Sequence, residues 1–369
     1  MMLWVWLISG AFLCCLAVAV RDRRSRRNLT AYDAPDGTLF RLNEAAAQPL
    51  VQVFDGLRKA SAQLDKVAPT ERLRIARTVV DRYFSDVSIT AERVPVDAGG
   101  VPAEWVIAPG ADPQRRLLYI HGGAFVCGSA QSHRPLTSRL SEVTQCVVLA
   151  IDYRLMPEHS RMASIHDCRT AYEWLLQHAP DNKTGSARAL FVGGDSAGGN
   201  LALSLLAWLR DTQRRQPDAA VAFSPVTDMA FSSPSFQLNR DTDIMLRSLF
   251  KQIKRLPGPL YQGITFFSTR MRSNDPRLSP LRGNLANLPP TLIQVSDTEM
   301  LLDDARRYVN RARQEGSIAQ LQQWEGMPHV WQIFHPVLPS ATAALDEVAR
   351  FFSAQSRHQA ASETSTTPP

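Results

Sequence analysis

Ser196 lies in Gly194-Asp195-Ser196-Ala197-Gly198-Gly199-Asn200, between an apolar β-type run, Ala189–Val192, and an apolar helical pattern, Leu201–Leu209. Strand, sharp turn and helix around G-x-S-x-G make an elbow that exposes a serine hydroxyl above a sheet. Gly194 and Gly198 flank the serine, where a side chain would crowd so tight a turn. The helix that starts beyond Ser196 aims free N–H groups, Ala197 first among them, at any oxyanion formed there. Alone, the pentapeptide is a common turn. A second Gly-rich turn upstream gives it weight: Leu117–Ile120 reads as a buried strand and runs into His121-Gly122-Gly123-Ala124-Phe125. In esterases and lipases of the fold that carries such an elbow, a turn of this kind completes the oxyanion hole with main-chain N–H groups. The candidates are Gly122, Gly123 and Ala124 together with Ala197; sequence does not select among the first three.

A serine nucleophile needs a base, and the base needs an orienting carboxylate. His329 follows the strand-like Ala319–Trp324 within Gly326-Met327-Pro328-His329, whereas His335, in Phe334-His335-Pro336, matches no motif. The acid is sought after the strand pattern Pro290–Ser296, in Asp297-Thr298-Glu299-Met300-Leu301-Leu302-Asp303-Asp304.

Six ordered motifs between residues 70 and 355 resemble those of the hormone-sensitive-lipase-like family of α/β-hydrolases, which includes bacterial esterases and arylacetamide deacetylase. They are His121–Ala124, Asp152-Tyr153-Arg154-Leu155-Met156-Pro157-Glu158-His159, the elbow Gly194–Asn200, Ser224-Pro225-Val226-Thr227-Asp228, Ser279-Pro280-Leu281 through Val295, and Gly326–His329. The resemblance implies a catalytic role for His329 and places the acid in a D-P-L-R-D-E motif. Aligning Leu301 and Asp303-Asp304 to that motif puts Glu299 where the family commonly has Asp. Glu can accept the histidine N–H, but its extra methylene requires a different loop path. Asp297 and Asp303 are the alternatives, both also suited to capping the following helix. The expected triad is Ser196, Glu299 and His329. Asp195 adjoins the nucleophile and reads as a turn-stabilising side chain, Asn200 as a backbone ligand, and Asp152–His159 as a brace for the active-site loops.

The implied activity is serine hydrolysis of carboxylic esters with short to medium acyl chains. Amide deacetylation or acyl transfer would need the same triad. The fold also serves as a small-molecule receptor in plants, but that branch lacks the histidine base. No metal or organic cofactor is called for: no Cys/His cluster has zinc spacing and no G-x-G-x-x-G follows a strand.

The elements that must position these residues alternate. Of 369 residues, 44% are apolar and 21% charged, which suits one large α/β domain. Strands are expected at Ser88–Val96, Ala103–Ile107, Leu117–Ile120, Val147–Ile151, Leu190–Val192, Ala220–Phe223, Thr291–Val295 and Ala319–Trp324. Helices are expected at Arg134–Val143, Ile165–Gln177, Leu201–Arg214, Leu301–Gln314 and Thr342–Phe352. This predicts an α/β-hydrolase fold, an eight-stranded mostly parallel sheet with helices on both faces. The resemblance implies a helical cap made of residues 45–87 and an insertion at about 230–278, around a catalytic domain at 88–355. Phe231, Phe236, Phe266 and Phe267 are candidates to line an acyl pocket, with ordinary packing the simpler reading for each.

Residues 1–20 carry no charge, and Arg21, Arg23, Arg24, Arg26 and Arg27 follow. Twenty such residues suffice to span a bilayer as a transmembrane or signal-anchor segment. A cleavable signal would place its positive charge first. The arginines favour a cytoplasmic side for a basic juxtamembrane linker at 21–44 and for the enzyme beyond it. With one Asp, Arg21–Arg27 supplies four of the six net positive charges, which suits anionic headgroups better than nucleic acid. Cysteines at 14, 15, 127, 146 and 168 suggest no disulfide framework. The polar stretch after Phe352, and residues 356–369 in particular, are expected to be disordered.

Overall fold

A computed structural model describes residues 28–42, 44–83, 87–180, 185–253 and 258–365. Nine strands form one sheet: β1 (Thr38–Phe40), β2 (Glu92–Asp97), β3 (Pro102–Ile107), β4 (Asp112–Ile120), β5 (Cys146–Ile151), β6 (Ala189–Asp195), β7 (Ala219–Phe223), β8 (Thr291–Ser296) and β9 (Ala319–Trp324). Their spatial order is β1-β9-β8-β7-β6-β4-β5-β3-β2. Only β3 runs against its neighbours; every other pairing is parallel. Every residue of β5 through β8 is buried, as expected of a parallel sheet covered on both sides.

The strand period of two divides the core. On β5, Val147, Leu149 and Ile151 face one layer, and Cys146, Val148 and Ala150 face the other. The first layer is closed by Ile165 and Tyr172 of helix Arg161–Leu175, Leu205 and Leu209 of helix Ser196–Asp211, and Tyr308 and Val309 of helix Leu302–Gln314. The second is closed by Leu136 and Leu140 of helix Arg134–Thr144, and by Leu345, Val348 and Phe352 of helix Pro339–Ser365. A third cluster joins Ala46, Leu50 and Val53 of helix Glu44–Asp65 to Trp324, Met327, Trp331 and Phe334. Helix Pro69–Arg82 and helices Ser235–Leu238, Ile244–Ile253 and Gly258–Thr269 lie in the two segments read as cap.

The sheet exceeds the expected eight strands by one. β1 falls in the stretch expected to be a linker, yet it pairs in register with Gln322–Trp324 of β9. Three residues are too few to show a period, so this edge strand has no sequence signature. The first expected strand begins at Glu92 rather than Ser88. The C-terminal helix continues to Ser365, through residues expected to be disordered. Ala354, Gln355, Ala360, Ala361 and Glu363 are good helix formers, and extending an existing helix avoids the cost of nucleation. Among the described residues no helix is long and apolar enough to cross a membrane. The stretch 1–20 and its arginine flank lie outside the described residues.

Candidate active site

Because β4, β6, β8 and β9 run parallel, the loops leaving them emerge along one rim. Ser196 sits between β6 and its helix at φ 50°, a left-handed conformation that non-Gly residues avoid. A Cβ on Gly194 would lie 2.6 Å from Gly198 O, and one on Gly198 would run into Ile120 O and His121 O. The elbow therefore depends on both glycines, because the backbone after β4 passes directly against it.

His329 Nε2 lies 2.9 Å from Ser196 Oγ, and His329 Nδ1 lies 2.6 Å from Glu299 Oε2. Glu299 Oε1 accepts Ser296 N–H and Ser224 O–H, each at 2.8 Å. Ser224 Oγ also accepts the N–H of Val330, at 3.2 Å, so one hydroxyl ties the acid to the residue after the histidine. Burial pushes the Glu299 carboxyl above its ordinary pKa, against the pull of His329. Burial acts on His329 in the opposite sense, but the charge and hydrogen bond of Glu299, with Asp243 and Asp195 adding to them, hold its imidazole above the usual range.

The alternative acids point elsewhere. Asp297 Oδ1 accepts Gly326 N–H at 2.8 Å, shaping the turn before His329 instead of capping a helix. Asp303 accepts Ser235 N–H at 2.7 Å and pairs with Arg306. His335 bonds Thr342.

Of the oxyanion candidates, Gly122 is engaged: its N–H donates to Asp195 Oδ1 at 3.0 Å. That removes it from the expected donors and leaves Gly123, Ala124 and Ala197. The turn has positive φ at Gly123, Ala124 and Phe125, and Cys127 Sγ bonds Gly123 O at 3.2 Å. Asp195 is the knot behind this loop. It also accepts the Tyr119 hydroxyl at 2.7 Å and faces His133 Nε2 at 3.2 Å. Burial opposes its charge, but His133 and Tyr119 hold its pKa below the ordinary carboxylate value. Burial and the neighbouring His133 push the His121 imidazole down to about 3, leaving it neutral against Gly122 O. Tyr153 O–H donates to His121 O, so the brace segment does reach the loop. Asn200 Nδ2 donates to Val226 O and Leu278 O, and its Oδ1 accepts Arg161.

Among the described residues one trio offers atoms close enough for a cation. Asp243, Glu299 and His329 each present one within 4.8 Å of the others. Both Asp243 oxygens already accept main-chain N–H groups, those of Leu246 and Met300, each at 3.0 Å, and the Glu299–His329 contact is a direct hydrogen bond. The donor set thus fits hydrogen bonding. Sequence reasoning gave no role to Asp243 or His133, and it placed Ser224 in a motif without foreseeing its contact with Glu299; Asp243 carried a signal as a capping residue before Ile244. Phe231 and Phe236 pack with Phe250 and Tyr261, whereas Phe267 is exposed. Cys127, Cys146 and Cys168 are free thiols.

A serine elbow, a histidine loop and a carboxylate turn on one rim of such a sheet define a hydrolase. Residues 117–333 match the family model described as an alpha/beta hydrolase fold. An acetyl-hydrolase from Streptomyces hygroscopicus is 36% identical over 285 residues, 76% of this chain and 89% of that protein. An esterase from Acinetobacter venetianus is 34% identical over 263 residues, 71% of this chain and 82% of its own. The crystal structure of an esterase from the bacterial hormone-sensitive lipase family superposes with a TM-score of 0.71 at 34% identity, over 84% of this chain and 98% of that one. The chain belongs to this α/β-hydrolase family of hormone-sensitive-lipase-type esterases.

Proposed function

We propose that the chain hydrolyses carboxylic esters of short to medium acyl length with Ser196 as nucleophile, His329 as base and Glu299 as the orienting acid. The observation that carries this reading is the unbroken run of contacts from Ser196 Oγ through the imidazole to the Glu299 carboxylate, 2.9 and 2.6 Å long. Ser196 Oγ attacks the ester carbonyl as His329 Nε2 takes its proton, and Glu299 stabilises the imidazolium. The oxyanion forms against the N–H groups of Gly123, Ala124 and Ala197. The imidazolium returns its proton to the departing alcohol, leaving an acyl-enzyme. Water, deprotonated by His329, then releases the acid. Relatives named acetyl-hydrolase and esterase support a small acyl group.

The same triad would serve amide deacetylation or acyl transfer, and these are distinguished by offering an anilide substrate or an acceptor alcohol. The presence of His329 weighs against a receptor without catalysis. Composition alone supports a membrane anchor at residues 1–20, and partition of the full chain into vesicles rich in anionic lipid would test it. For the reaction, the experiment is hydrolysis of p-nitrophenyl esters of increasing acyl length by the full chain and by Ser196→Ala. Activity greatest on the shorter chains and lost in the variant is expected. A folded wild-type protein inert on all of them refutes the proposal.

A further inference from the structure

The turn that carries Glu299 is gripped from outside the sheet. Asn239 Nδ2 donates to Asp297 O at 2.7 Å and to Glu299 O at 2.8 Å. The Thr242 hydroxyl, 2.8 Å from Thr298 O and 2.9 Å from Asn239 O, shares its one proton between the two carbonyls. Asp243 Oδ2 accepts Met300 N–H at 3.0 Å. Three successive peptide groups of the turn, the last by both its carbonyl and its N–H, are held by three side chains within five residues. All three belong to the excursion the chain makes between β7 and β8, and none is on the sheet. Asp243 is also the first link to helix Ile244–Ile253, since its other oxygen accepts Leu246 N–H at 3.0 Å.

The chemistry of Glu gives this grip a purpose. A glutamate has one more rotatable bond than an aspartate, so a Glu carboxylate reaches a fixed point only if its backbone is also fixed. The far end of the Glu299 side chain is held by Ser296 N–H and Ser224 O–H. The near end is held by the carbonyl contacts of Asn239 and Thr242. Both restraints act on the 2.6 Å contact with His329.

We propose that Asn239, Thr242 and Asp243 form a clasp that sets the path of the acid turn and so positions the Glu299 carboxylate against His329. They are positioning residues and touch no reacting atom. Through Asp243, the clasp makes the start of helix Ile244–Ile253 and the acid turn move as one body. The inference rests on the reading that Glu299 orients His329, and its test separates the two.

The experiment measures kcat, KM and Tm of the full chain on p-nitrophenyl butyrate for Asn239→Leu and Thr242→Val, each alone and combined with Glu299→Gln. Asn239→Leu removes both carbonyl contacts while keeping the number of side-chain heavy atoms. A displacement of the acid by a fraction of an ångström should lower kcat by about 10- to 100-fold, with KM changed by about threefold at most. Thr242 is exposed and its substitution isosteric, so it tests the same idea without threatening the fold; the expected loss in kcat is about 2- to 10-fold. In the Glu299→Gln background neither change should lower kcat by more than about twofold, because both act through the carboxylate already removed. If either variant multiplies the Glu299→Gln defect by its full factor, it acts elsewhere and the clasp is overturned. Unchanged kcat in both single variants, with Glu299→Gln crippled, overturns the clasp alone. Full activity in Glu299→Gln overturns the acid assignment and the clasp with it.

Discussion

Replacing Glu299 by Gln should be far more damaging than its near-isosteric character suggests, because the site dictates which way the amide faces. Oε1 accepts two donors, the Ser224 hydroxyl and the Ser296 N–H, both at 2.8 Å. The hydroxyl can rotate but the main-chain N–H cannot. An amide NH2 placed there would meet another N–H, a buried mismatch costing about 1–3 kcal/mol. The amide oxygen therefore takes the Oε1 position and the NH2 group faces His329 Nδ1. That nitrogen must then accept, which moves the ring proton to Nε2, the atom 2.9 Å from Ser196 Oγ. The imidazole can no longer take the serine proton. A tautomer error of this kind lowers kcat by about 10⁴, or about 5.5 kcal/mol of barrier. Glu299→Ala enforces neither tautomer, so its kcat should lie at or above that of Glu299→Gln. Initial rates on p-nitrophenyl acetate, with circular dichroism to verify folding, make the measurement. A Glu299→Gln enzyme retaining more than about a tenth of wild-type kcat would refute the reasoning, since the residual loss would be too small for a tautomer switch.

Gly198→Ala should destabilise the fold by on the order of 3 kcal/mol or more, because the added methyl meets the backbone carbonyls of Ile120 and His121 and not a movable side chain; urea unfolding reads this, and a change below about 1 kcal/mol contradicts it. The pKa of His329 is raised, and the imidazole must be neutral to act as base, so kcat/KM should rise with pH through an apparent pKa above about 6.5. An apparent value well below 6 in the wild type would count against the Glu299 contact. The His133–Asp195 pair stabilises the fold within a pH window. The raised pKa of His133 gives stability present below about 6.5 and lost as pH rises through its folded value. The lowered pKa of Asp195 gives stability present above about 3.9 and lost as pH falls. His133→Ala should therefore cost most between those limits, about 3 kcal/mol, and a stability difference flat from pH 4 to pH 9 in urea melts would show that the pair is not ionised.

The parallel core was legible because strands buried on both faces read as apolar runs: β5, β7, β8 and β9 fall within a residue of their expected limits, whereas β6 runs three residues past its expected end at Val192, through Gly193-Gly194-Asp195. The elbow and the Gly-rich turn after β4 were legible for a different reason: their glycines mark close backbone approaches that no other residue tolerates. Gly198-Gly199-Asn200 are poor helix formers, yet they form the first turns of helix Ser196–Asp211, where packing on β6 and β7 overrides local propensity. β1 was too short to carry a pattern. That the Gly122 N–H is engaged depended on a side chain 73 positions away in sequence, Asp195, which accepts it. The acid turn shows the same limit. Glu299 could be singled out by alignment to a motif, but Asn239 and Thr242 are ordinary turn residues whose partners lie 60 and 56 positions away, and the motif that holds Ser224 did not reveal its partner 75 positions on.

The most direct test of the account is to ask which oxygen becomes acylated. Rapid acid quench of the enzyme mixed with p-nitrophenyl butyrate, followed by peptide mass analysis, should find a butyryl group on Ser196, formed in a burst in the wild type and accumulating to far lower occupancy in His329→Ala. An acyl group on any other residue, or turnover undiminished in Ser196→Ala, would contradict the assignment of Ser196 as nucleophile.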